Sequence, residues 1–168
     1  MKLVLGIDSK LLRVAMSIAL ALLFAASLRA EEEFLKNAWK AFNRSDYKGA
    51  IKFADECIEN FGKAADRMQE KLINDKEPAP PTGSVSDADK NKIFKRGPLN
   101  DVATAYFIKG RSAESLYQKG RSKDPTYKEM AENAYKAACR YKHGRTWDPN
   151  GWFWSPCEAA ADRLSSLK

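Results

Sequence analysis

Histidine occurs once in this chain of 168 residues, at His143, and cysteine three times, at Cys57, Cys139 and Cys157. One imidazole rules out a histidine-rich metal site, and a lone His near a helix end is more often a partner of the helix dipole than a ligand. The cysteines hold no C-x-x-C spacing, which removes a thioredoxin-like redox motif and a paired-thiol zinc knuckle. Ser-His-Asp groupings, phosphate loops, H-E-x-x-H and calcium loops are missing. So is any apolar run of the roughly 20 residues that cross a bilayer as a helix, and any alternation of apolar and polar residues long enough to argue a strand. What is there is ordinary globular composition, 44% hydrophobic and 30% charged, which excludes global disorder and collagen-like repetition.

The first thirty residues stand apart. Lys2, Lys10 and Arg13 precede a 13-residue apolar run from Val14 to Ala26, and the small residues Ser27 and Ala30 lead into Glu31, Glu32 and Glu33. That order is expected of a secretory signal peptide over 1–30, with cleavage after Ala30 or after Ser27. No Cys precedes Cys57 to take a lipid, and the apolar run is too short to span, so no stable membrane insertion is expected after cleavage. The product is expected to be exported, periplasmic or extracellular, with 31–168 forming a single domain. Removing four basic residues (Lys2, Lys10, Arg13, Arg29) and one acidic (Asp8) lowers the formal charge from +7 to +4. Exported thiols tend to pair. Three is an odd number, and Cys139 with Cys157 is the possible disulfide, the alternative being small buried helix positions.

From Phe34 onward the pattern is helical, and the expected fold class is all-α. A short helix covers about Phe34 to Asn43. A long amphipathic one follows, with Tyr47, Ala50, Ile51, Ala54, Ile58, Phe61, Ala65, Met68 and Leu72 on one face and Gly62 inside it. Residues 75–98 carry Pro78, Pro80, Pro81, Gly83, Gly97 and Pro98, a flexible insertion with a short helical turn over 86–95. Asn100 is expected to cap a third helix ending near Gly120. Asp124, with Pro125 behind it, caps a fourth that stops at a left-handed Gly144. Ser155 caps the last, with Pro156 at its start and Glu158 completing a capping box.

The second helix of each pair repeats one pattern: Ala50, Ala54, Cys57, then Ala131, Tyr135, Ala138, in steps of four and three. With Ala38 and Asp46-Tyr47 in the first unit and Ala113 and Gly120 in the second, the chain resembles the tetratricopeptide repeat (TPR) family. Gly62 stands where that family has a terminating Pro, and two units are fewer than the usual three. A plain four- or five-helix bundle is the alternative. The ending WDPNGWFWSP also resembles that of small exported bacterial helical-repeat proteins, some labelled beta-glucanase precursor.

The TPR resemblance implies a concave groove for an extended peptide or partner helix, faced by Leu35, Trp39, Phe42 and Asn43 from the first unit and Glu114, Tyr117 and Gln118 from the second. Trp39 and Phe42 also suit the core of so short an array. Trp147, Trp152 and Trp154, with Phe153, are open to two roles: flat rings for glycan stacking, or a plug closing the end of the core. A glycosidase needs two carboxylates about 5 to 9.5 Å apart. Glu31 to Glu33, Asp55, Glu56, Glu59, Glu129, Glu132 and Glu158 offer no evident pair. Lys90, Lys92, Lys95 and Arg96 form a local basic patch, but no basic and aromatic interleaving argues for nucleic acid. The expectation is therefore an exported, non-catalytic TPR-like adaptor that binds another protein and needs no cofactor. The alternative is a carbohydrate-associated protein, binding glycan through the tryptophans or hydrolysing it as the beta-glucanase label implies.

Overall fold

A computed structural model describes residues 33–120 and 123–167. The signal-peptide expectation for 1–30 lies outside them. The described residues are mostly helical: α1 (33–43), α2 (Tyr47–Asn74), α3 (Asp87–Phe94), α4 (Gly97–Lys119), α5 (Pro125–Arg140) and α6 (Pro156–Ser166). A small hairpin, β1 (Thr146–Asp148) with β2 (Trp152–Trp154), sits between α5 and α6. The all-α expectation thus describes the bulk of the fold.

Short polar side chains start most of these helices by accepting from orphan first-turn N–H groups. Asp46 accepts from Gly49, Ser86 from Asp89, Asp124 from Thr126 and Ser155 from Glu158. Two Thr126 groups, the hydroxyl and the backbone N–H, hold the Asp124 carboxyl below its ordinary value. The expected cap at Asn100 is not seen. α4 begins earlier, at Gly97 and Pro98, and Asn100 lies buried inside it, donating to Ile93 O at 2.8 Å and accepting from Arg145 N–H at 3.0 Å. Gly144 is not a left-handed stop either. Its value is closeness, because a Cβ there would meet the Ala103 Cβ at 2.9 Å.

Side-chain partners fix the helix directions. Phe34 meets Phe61 while Phe42 meets Tyr47, so α1 and α2 are antiparallel. Ala50 clusters with Ile108 and Ala65 with Leu99, so α4 runs back along α2. α5 returns along α4, with Tyr106 stacked on Tyr141 at 5.9 Å and Gly110 beneath the Tyr135 ring. Cys139 lies by Cys157 and Tyr135 shares Glu114 with Arg163, so α6 is antiparallel to α5. Alanine lines the seams: Ala38, Ala41, Ala50, Ala54, Ala65, Ala103, Ala105, Ala113, Ala131 and Ala138 are completely buried. Small residues there let helix axes approach closely.

The insertion at 75–98 is tied to this frame. Arg96 pairs with Glu77 at 2.7 Å. His143, buried, donates Nε2–H to Glu77 O at 2.8 Å and accepts from Gln69 Nε2 at 2.6 Å, which sets the tautomer. Arg145 is also buried, and burial lowers its pKa. Its guanidinium donates to the carbonyls of Pro80, Lys142 and Gly144. Gly83, at φ +83°, exchanges two backbone bonds with Phe153, at 2.7 and 2.9 Å.

Candidate functional site

The aromatic tail of the sequence folds as the hairpin that the sequence did not disclose. Asp148 accepts from both the N–H and the Nδ2 of Asn150 at 2.8 Å, and Gly151, at φ +99°, donates to Asp148 O at 2.9 Å. This turn suits Asp-Pro-Asn-Gly, since Asn tolerates turn geometry and Gly takes positive φ freely. Register pairs Thr146 with Trp154, Trp147 with Phe153 and Asp148 with Trp152. Alternation then divides the side chains between two faces. Phe153 is buried against Trp147 at 4.9 Å and Phe94 at 5.6 Å. Thr146, Asp148, Trp152 and Trp154 occupy the opposite face.

That opposite face looks onto α1 across a cleft of about 640 Å³. Trp39 and Asn43 wall it from α1, Phe107 from α4, Ala159 from α6, and Trp152, Trp154 and Asp148 from the hairpin. The rings are held from behind. Trp154 packs edge-on to Phe107 at 5.1 Å, and Trp39 lies 6.4 Å from Phe107 and 5.9 Å from Phe42. Trp147 is 39% exposed and Trp152 40%. Lys90 covers the Trp147 ring at 4.7 Å, whereas Trp152 has no ring or cation partner among the described residues. Pockets of this size, mostly apolar with a few polar groups, suit small ligands or one or two side chains of a larger partner.

The expected groove residues separate. Trp39 and Asn43 line the cleft. Leu35 packs into the α1–α2 seam with Ala54 and Cys57, and Phe42 lies between Trp39, Tyr47 and the Arg111 guanidinium at 5.3 Å. Glu114 is buried and committed within the structure. It accepts from Tyr135 Oη at 2.6 Å, from Arg163 Nη2 and Nε at 2.7 and 3.0 Å, and from Gln118 Nε2 at 2.9 Å. Tyr117 and Gln118 do not line the cleft. Cys139 and Cys157 stand as neighbouring free thiols, with Cys139 Sγ donating to Cys157 O at 3.0 Å. Burial, and then the neighbouring Cys157, push the Cys139 thiol up to about 12.

Phe107, Thr146, Asp148 and Ala159 were not singled out by sequence. Phe107 had a signal, standing two helical turns before Glu114 on the same face. The others reach the cleft only through the hairpin. Among the described residues Asp148 is the one carboxylate in its wall, and no group of three or more His, Cys, Asp or Glu is placed to hold a metal ion. Nor is any described helix long and apolar enough to cross a membrane. Compared with known proteins, the chain matches no family model, no curated protein and no solved structure.

Proposed function

We propose that the chain is an exported, non-catalytic, tetratricopeptide-like adaptor of the bacterial envelope, and that the cleft between α1 and the hairpin takes a segment of another protein. One observation carries this reading: Trp39 and Asn43, expected on the groove of the first helix pair, share a cleft with Trp152 and Trp154. The two antiparallel helix pairs, α1 with α2 and α4 with α5, support the repeat-like part of it. Hydrolysis is disfavoured because glycosidase chemistry requires a second carboxylate across the substrate. Among the described residues Asp148 faces none in the cleft wall, and Glu114 is consumed by Arg163 and Tyr135.

A glycan is the second reading, favoured by the exposed Trp152 ring, which has no ring partner among the described residues. The test pans a phage-displayed library of random linear peptides against residues 31–168, beside titration of tryptophan fluorescence with a panel of β-glucan oligosaccharides. Enrichment of a peptide consensus whose binding is lost in Trp152→Ala, with no response to glucans, supports the adaptor. Saturable glucan quenching abolished by Trp152→Ala, with no peptide enriched, overturns it in favour of glycan binding.

A further inference from the structure

Cys139 and Cys157 face each other across the α5–α6 seam. Cys139 Sγ donates to Cys157 O at 3.0 Å and Cys157 Sγ lies 3.9 Å from Cys139 O, so each thiol rests on the backbone of the other residue. Neither is sealed, both being half-buried. The third cysteine lies elsewhere: Cys57 is completely buried with Ala54 and Ala105. The odd number of cysteines thus resolves into one adjacent pair and one core residue.

The pair is 18 positions apart, and the whole hairpin, from Thr146 to Trp154, lies between its members. A two-stranded hairpin is marginally stable at best by itself. α5 ends at Arg140, next to Cys139, and α6 begins at Pro156, next to Cys157. A bond between the two sulfurs would therefore close the base of the loop that sets Trp152 and Trp154 on the cleft wall.

We propose that on export Cys139 and Cys157 are oxidised to an intrachain disulfide, which clamps the base of the hairpin loop and fixes the tryptophan wall of the cleft. This rests on the exported part of the reading above and not on what the cleft binds. The oxidant is a disulfide of the exported compartment. Cys157, as thiolate, attacks one sulfur of that disulfide, giving a mixed disulfide and releasing the first oxidant thiol. Cys139 then gives up its proton and attacks Cys157 Sγ, releasing the second. Two electrons and two protons leave the pair, and the S–S bond of the oxidant becomes two S–H groups. Cys157 goes first because burial and its neighbour hold the Cys139 thiol up to about 12, and the thiolate is the nucleophile.

The experiment expresses the full chain, 1–168, in a bacterium, quenches thiols with acid at lysis, and maps the recovered protein by non-reducing peptide mass spectrometry. Protein from the envelope fraction is expected to carry one linked peptide pair, Cys139 to Cys157, with Cys57 as a thiol. Thiols at both positions in that fraction overturn the proposal. Retention in the cytoplasm with 1–30 attached overturns the export reading instead, and the chemistry is then decided on the purified protein, reduced and returned to oxidised glutathione. There the same bond is expected, while Cys139→Ser keeps one glutathione on Cys157 and Cys157→Ser keeps a bare Cys139 thiol. Oxidation is expected to raise the melting temperature by about 10 °C and to slow amide hydrogen exchange over 146–154 by about tenfold or more, both reversed by reductant. Persistent thiols, or glutathione on both cysteines, overturn the bond. Exchange over 146–154 that oxidation leaves unchanged overturns the clamp.

Discussion

Arg163 grips Glu114 with two nitrogens, at 2.7 and 3.0 Å, and thereby joins α6 to α4 across the phenol of Tyr135 on α5. The pair is lopsided: the Glu114 side chain is 3% exposed and that of Arg163 38%. Removing the cation leaves a buried carboxylate with only the neutral donors Tyr135 and Gln118, while neutralising the carboxylate leaves a guanidinium that water can reach. Arg163→Met is therefore expected to cost about 3 kcal/mol, and Glu114→Gln about 1 to 2 kcal/mol. Urea titration of the two variants checks the order. Equal costs, or Glu114→Gln the more damaging, would contradict it.

Burial, followed by the Glu114 hydrogen bond, pushes the Tyr135 phenol above its ordinary pKa of 10.0, and burial with Asp66 does the same to Tyr141. A raised pKa in the folded state means that above pH 10 the unfolded chain loses protons the native protein keeps. Stability from these phenols is fully present below pH 10 and declines as pH rises past it. Unfolding free energy measured across the alkaline range should fall with a slope that Tyr141→Phe reduces. An unchanged slope in that variant would show that Tyr141 contributes nothing to it.

Gly110 permits the close approach of α4 and α5. A Cβ there would lie 2.5 and 2.6 Å from Tyr135 ring atoms, and that ring is tethered by Glu114. Gly110→Ala should therefore destabilise by about 2 kcal/mol despite the better helix propensity of alanine. Thermal melting decides: a melting temperature at or above that of the parent would mean the ring can yield.

The helices were largely legible because their determinants are local. Steps of three and four placed Ala50, Ala54, Cys57 and Ala65 on one buried stripe, and Asp46, Asp124 and Ser155 carry helix starts within three residues of themselves. Asn100 misled because its side chain serves Ile93 and the distant Arg145 rather than a helix end. The hairpin was hidden for another reason: three-residue strands are too short to display alternation, and β2 is completed by Gly83, seventy positions earlier. Half of the cleft was visible as Trp39 and Asn43 and half as the tryptophan cluster. Nothing local indicated that they face each other.

Cys139 and Cys157 give a chemical check on α5–α6 packing. With its thiol raised to about 12 by burial and its neighbour, Cys139 is protonated at neutral pH and should alkylate slowly in the native protein. Mass-spectrometric mapping after iodoacetamide treatment of the reduced protein is expected to show Cys139 protected natively and modified readily in urea. Rapid native labelling would mean the α5–α6 seam opens.

A partner seated in the cleft touches both of its walls, and Asn43 and Trp152 are the residues that report on each. Both are exposed and stand on opposite walls, so Asn43→Ala and Trp152→Ala should each alter stability by no more than about 1 kcal/mol. Calorimetric titration of each variant with the library-selected peptide should show affinity lost in both, by about tenfold or more for Trp152→Ala, with melting curves unchanged. Full affinity in both variants, with loss instead in Tyr117→Ala or Gln118→Ala, would rule out the cleft and move the binding surface to the far end of α4.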